Sequence, residues 1–188
     1  MLKNSFPQTI SPGLTANPLE QKQKLLNRLR SGASWFYWIA ALSVINTVLI
    51  ELGSSIIFFF GLGITQIIDA LVFEWGFDLE PDAFTVLRIL GLAITLLIVL
   101  IFVLFGIFAY KRQRWSFIAG MIVYAIDALA VLFIWEKPDF LGFAFHLFVF
   151  WGLIRGLRAI NQLEQLDDAL RQAGLLPPEP PPSVIQPV

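Results

Sequence analysis

The feature that most restricts this chain is a run from Phe84 to Tyr110 in which Arg88 is the one charged residue. As a helix rising about 1.5 Å per residue, that run exceeds the roughly 30 Å of hydrocarbon in a bilayer. Comparable runs lie at about 33–51, 115–135 and 140–154, and a fifth, at about 55–73, is interrupted by Gly61 and Gly63. The charges gather in short islands between them. In hydrocarbon each backbone N–H and C=O must bond inside the protein, so such runs are expected to be helices. With 57% hydrophobic and 14% charged residues in 188, the chain carries more apolar surface than a soluble domain of this size can bury. The fold class expected is therefore an all-α integral membrane protein.

Several function classes are excluded or weakened at once. The chain has no cysteine, which rules out disulfides, thiolate nucleophiles, cysteine-bound zinc and iron–sulfur clusters. A net charge of −1 with scattered positives does not make a nucleic-acid surface. Metalloprotease, serine-hydrolase, P-loop and dinucleotide signatures are missing, and one histidine cannot supply a two-histidine metal or haem site within the chain. No cofactor is expected, and an enzyme is the least supported class. The polar stretch 1–30, with Pro7, Pro12 and Pro18, lacks the basic and apolar parts of a cleavable signal peptide, so the first apolar segment is expected to stay in the mature protein.

Five regions are expected along the chain. Residues 1–16 are predicted to be disordered. A basic amphipathic juxtamembrane helix follows over 17–32, with Asn17 as N-cap, Pro18 at the first position and Glu20 behind it. A helical membrane domain occupies 33–155, with Trp35, Tyr37 and Trp38 as interfacial anchors. Residues 156–173 are expected to form a cytoplasmic helix, with Ala159, Leu163, Leu166 and Leu170 on one face and Gly174 as its stop. The proline-rich stretch 174–188 is expected to be extended and disordered.

Charge sets the expected topology. If all five segments cross, the basic ends after segments three and five cannot share a side with the basic N-terminal helix, against the positive-inside rule. The conflict disappears if segment two enters and leaves on one face, turning at Gly61, Leu62 and Gly63. The expectation is four transmembrane helices plus one re-entrant or interfacial hydrophobic hairpin, with both termini cytoplasmic in a bacterial plasma membrane. Five transmembrane helices is the alternative. Lys22 to Arg30, Lys111 to Arg114, Arg155 and Arg158 are then inside, and Glu51, the island from Glu74 to Asp82, Glu136 and Asp139 outside.

An ionisable group in hydrocarbon costs about 2.5 to 3.5 kcal/mol on insertion scales, so each needs a partner. The candidate intramembrane polar site comprises Asp127, His146, Asp69 and Tyr124. Asp127 and His146 fall on opposite arms of one helical hairpin at nearly equal depth, roughly 12 to 14 Å from its outer end. They are expected to pair either as polar glue with Tyr124 nearby or as a proton-accepting site. Ser43, Asn46, Thr47, Gly91 and Thr95 suit close helix contacts, and Arg88 and Glu51 lie near the outer boundary, where Arg can snorkel. Ile68-Asp69-Ala70-Leu71 recurs as Ile126-Asp127-Ala128-Leu129, four shared letters in an apolar context that chance explains best.

From Trp115 to Arg158 the chain resembles the C-terminal hairpin of small uncharacterised bacterial membrane proteins. The residues concerned are Trp115, Phe117, Gly120, Tyr124, Asp127, Phe145 and His146. That resemblance covers about a quarter of the chain and implies a location rather than a mechanism. Two functions are expected from the sequence: a non-enzymatic structural or accessory component that organises membrane partners, or a small proton-linked transporter or channel subunit. The partners expected are the lipid bilayer, anionic lipid through Lys22, Lys24, Arg28 and Arg30, and a further copy of the chain or another membrane protein. The basic helix can alternatively pair with the helix carrying Glu164, Asp167 and Asp168.

Overall fold

The computed structural model describes residues 17–53, 61–134 and 140–177. These form five helices, α1 (Pro18–Glu51), α2 (Gly63–Gly76), α3 (Pro81–Tyr110), α4 (Arg114–Ile134) and α5 (Phe140–Gln172), with no strand among the described residues. Helices α1, α3 and α5 are long and apolar enough to cross a membrane. The expected disorder of 1–16, most of the proline tail, the first limb of segment two and the turn from Glu136 to Asp139 lie outside the described residues.

Local chemistry accounts for the helix ends. The Asn17 side chain accepts the Leu19 N–H at 3.1 Å ahead of Pro18, giving one orphan donor of the first turn a partner. At the other end of the chain, Gly174 takes a φ of +71° that a side chain would oppose, and the Leu175 N–H closes back on the Leu170 carbonyl at 2.9 Å. The helix expected over 17–32 and segment one are a single unbroken α1, and segment five runs unbroken into the helix expected over 156–173 as α5.

Helix α1 is the centre of the bundle, with α5 and α3 against it. It runs antiparallel to α3, since Glu51 meets Arg88 near one end and Tyr37 packs on Gly106 towards the other. It is antiparallel to α5 as well: Trp35 packs on Gly152, Gly32 on Gly156, and Lys22 bonds Asp167. At the Gly32–Gly156 crossing the backbones approach so closely that a Cβ on Gly32 would stand 2.4 Å from the Gly156 Cα. Phe36 fills the middle, with Phe102, Phe105 and Phe117 at centroid distances of 6.4, 5.9 and 5.7 Å.

The short α2 runs in the same direction as α1. The Leu62 N–H bonds Ser43 Oγ, and nearly two turns further along α2, Asp69 meets Thr47. Helix α2 thus begins level with Ser43, about 12 Å back from the end of α1. Polarity across the bundle is inverted relative to a water-soluble protein. Ser43, Asn46, Thr47, Asp69, Asp127 and His146 are buried, while Ile89, Leu90, Leu97, Leu100, Ile122 and Ile126 face outward.

Beyond the apolar belt, α1 and α5 continue together as a two-helix extension. Ala159, Leu163, Leu166 and Leu170 are all buried there, against Leu25 and Leu29 of α1. Charges lock its side: Lys22 bonds Asp167 at 2.6 Å, Arg112 reaches the same carboxylate at 3.4 Å, and Arg114 pairs with Glu164. The four cations expected to act together on lipid are therefore divided, because Lys22 is held by an acidic partner. At the opposite end Arg88 hydrogen-bonds the Glu51 carboxylate rather than snorkelling alone.

Candidate functional site

Helix α2 starts inside the bundle with a leucine, Leu62, at its N-cap position and no capping side chain of its own. The first N–H groups of a helix have no partner within it, and away from water they must find one elsewhere. Three come from outside α2. Ser43 Oγ accepts the Leu62 N–H at 2.9 Å, Asp127 Oδ2 the Gly63 N–H at 3.0 Å, and Asp127 Oδ1 the Ile64 N–H at 2.8 Å. A carboxylate from α4 thus caps α2 across space, meeting the N–H groups and positive dipole end that favour an anion. Gly61, just before, has a φ of +157°, and a Cβ there would stand 3.1 Å from Asn46 Nδ2, so glycine suits this entry on both counts.

The same Asp127 Oδ2 stands 2.9 Å from His146 Nε2. On the ring's other side, Nδ1 stands 2.7 Å from the Gly142 carbonyl oxygen, one turn earlier in α5. A carbonyl only accepts, so Nδ1 carries a hydrogen. A bare Nε2 facing a carboxylate would set acceptor against acceptor, and so a proton also lies on the Nε2–Oδ2 line. It is donated either by an imidazolium to the carboxylate or by a carboxyl group to the imidazole. In both forms the pair has no net charge, which is what a site buried at 4% and 2% exposure requires.

Tyr124 completes the site with its ring. It stacks on His146 at 4.7 Å and an interplanar angle of 20°, with Phe150 stacked at 6.4 Å. Its hydroxyl, expected from the sequence to join the polar glue, has no hydrogen-bond partner among the described residues. Asp69 stands apart. It accepts from Thr47 Oγ1 at 3.2 Å between α2 and α1, six residues or about 9 Å along α2 from Gly63. The two Ile-Asp-Ala-Leu stretches thus serve different contacts.

Sequence reasoning missed Ser43, Gly63, Ile64 and Gly142 as members of this site. A usable signal was present, since a helix restarting after Gly61 with leucine at its cap needs a cap from another segment. Among the described residues no group of three or more His, Asp or Glu side chains could hold a metal ion. A pocket of about 250 Å³ reaches Asp127 from the outer surface between α3 and α4, and its walls, among them Leu62, Ile98, Phe102, Val123 and Ile126, are apolar. The arrangement can hold one proton and one helix end together. No protein-family model, curated protein or solved structure matches this chain.

Proposed function

We propose that this protein is a non-enzymatic structural or accessory component of a bacterial plasma membrane, in which the Asp127–His146 pair is a clasp holding a re-entrant segment in a four-span bundle. The supporting observation is that the Asp127 carboxylate is fully engaged, by two backbone N–H groups of α2 and by His146, while the pocket that reaches it is apolar. A carboxylate used for transport needs access to water, whereas one used as a cap needs its absence. Helices α1, α3, α4 and α5 are the proposed spans. The parallel course of α1 and α2 and the start of α2 level with Ser43 support the re-entrant assignment over five spans. Both termini are then cytoplasmic, beside the α1–α5 extension that offers a surface to partners.

Topology is tested by single thiols, which this cysteine-free chain accepts without background. A Cys at Glu80 reacts with an impermeant reagent from outside and a Cys at Arg112 does not; the reverse pattern refutes the assignment. The accessory role is tested by purification in mild detergent with mass spectrometry. A stoichiometric membrane partner or a homo-oligomer is expected, and recovery as a lone monomer counts against it.

The proton on the Nε2–Oδ2 line favours one second function, a small proton-linked transporter or channel subunit. Proton flux in liposomes that is lost in Asp127→Asn, with the bundle intact, would favour it over the clasp.

A further inference from the structure

The α1–α5 extension sorts its charges onto two sides. On one, Lys22, Arg112 and Arg114 are matched by Asp167 and Glu164. On the other, two adjoining grooves between the helices share Arg28. The groove nearer the apolar belt, about 350 Å³, is lined by Asn27, Arg28, Ser31, Trp35, Trp151 and Arg155, with the buried Gly32 and Gly152 as its floor. The next, about 440 Å³, adds Lys24 and the glutamines Gln21, Gln162 and Gln165. Neither lining contains an Asp or a Glu. Three cations thus face grooves with no carboxylate in their walls.

We propose that the inner groove binds the phosphate headgroup of an anionic phospholipid from the cytoplasmic leaflet; this rests on the membrane assignment above. Arg28 from α1 and Arg155 from α5 approach it from opposite walls, and a guanidinium fork suits phosphate oxygens. Arg155 lies over the Trp151 ring at 4.5 Å, which holds its guanidinium at the tryptophan level instead of extended into water. Asn27 Oδ1 accepts from Gln23 at 3.1 Å, so its amide N–H is directed to other acceptors, and Ser31 supplies a hydroxyl.

The position selects a lipid over a soluble phosphate. Trp35 meets Phe148 edge-on at 5.2 Å, and Phe148 stacks on Trp151 at 6.4 Å, so the cationic groove opens directly onto apolar side chains. Leu147, Phe148 and Trp151 are exposed there and continue up α5, where acyl chains attached to a bound phosphate would lie. Basic pockets between helices at the cytoplasmic face are a recognised way of holding such headgroups. Small residues at the Gly32–Gly156 crossing draw the helices together and leave the groove shallow enough for a headgroup.

The test uses the full chain, purified in mild detergent and titrated with phosphatidylglycerol or phosphatidylcholine under native mass spectrometry. Wild type is expected to retain phosphatidylglycerol preferentially. Each of Arg28→Gln and Arg155→Gln lowers that affinity about fivefold and the double variant about 25-fold, while Arg158→Gln, outside the groove, leaves it unchanged. The arginines are exposed, and helical content measured in parallel checks that the variants remain folded. Equal retention by wild type and the double variant overturns the site. Displacement of the lipid by an equal concentration of inorganic phosphate overturns the choice of lipid as ligand. Recovery of the chain in buffer without detergent overturns the membrane assignment itself, and with it this site.

Discussion

Replacing Asp127 by Ala removes the acceptors for two α2 N–H groups and the partner of His146 in one step. At the average of about 0.6 kcal/mol measured for hydrogen bonds between membrane helices, three lost bonds sum to about 2 kcal/mol. Leaving three buried polar groups unsatisfied, at about 1–3 kcal/mol each, sets an upper figure near 9 kcal/mol. The pocket that reaches Asp127 has apolar walls, which give replacement water few partners, so the loss should exceed the lower figure. Asn is a graded probe. Its oxygen can keep the Ile64 N–H and its amide can donate to His146 Nε2, but that amide then opposes the Gly63 N–H. One bond is lost, for about 1–3 kcal/mol. Unfolding in detergent should thus rank wild type above Asp127→Asn above Asp127→Ala. A local readout accompanies it: a single thiol at Leu62, fully buried at the start of α2, should be protected in the wild-type background and react faster in both variants. If Asp127→Ala unfolds like wild type and the Leu62 thiol stays protected, Asp127 does not cap α2 and the clasp is refuted.

Three further perturbations test other parts of the bundle. Gly32→Ala drives a methyl group into the Gly156 backbone and should cost about 1–3 kcal/mol by forcing α1 and α5 apart, read as a lower unfolding midpoint. Gly61→Ala places a side chain at a φ of +157° and should cost about 1–3 kcal/mol, with increased hydrogen exchange confined to the start of α2. In the α1–α5 extension, a double-mutant cycle on Lys22 and Asp167 should give a coupling of about 0.2–1 kcal/mol that falls with added salt. Exchanging the two charges should restore stability only in part, because Arg112 also faces position 167.

Much of the candidate site was legible in one dimension. Counting residues from the ends of a hairpin places Asp127 and His146 at one depth because helical rise is nearly constant, and they stand 2.9 Å apart. Distance along an axis says nothing about rotation around it. Tyr124 shares the level of His146, yet its rotation brings ring onto ring instead of hydroxyl to nitrogen. Chemistry alone groups Asp69 with Asp127, whereas α2 turns it towards Thr47 of α1. The Glu51–Arg88 pair joins residues 37 apart on different helices, and reading each against its own segment could not connect them.

The sequence by itself determined the apolar runs, the Asn17–Pro18 start and the Gly174 stop, since these depend on neighbours within a few residues and on the bilayer-scale length of each run. The tertiary structure alone decided which side chain serves which helix end. The N–H groups of Gly63 and Ile64 need acceptors whatever surrounds them, and that need is local. That Asp127, more than sixty residues away, meets it while sharing a proton with His146 follows from the way α2, α4 and α5 converge. Hydrogen bonding between segments depends on depth and rotation together, and only the assembled bundle fixes both.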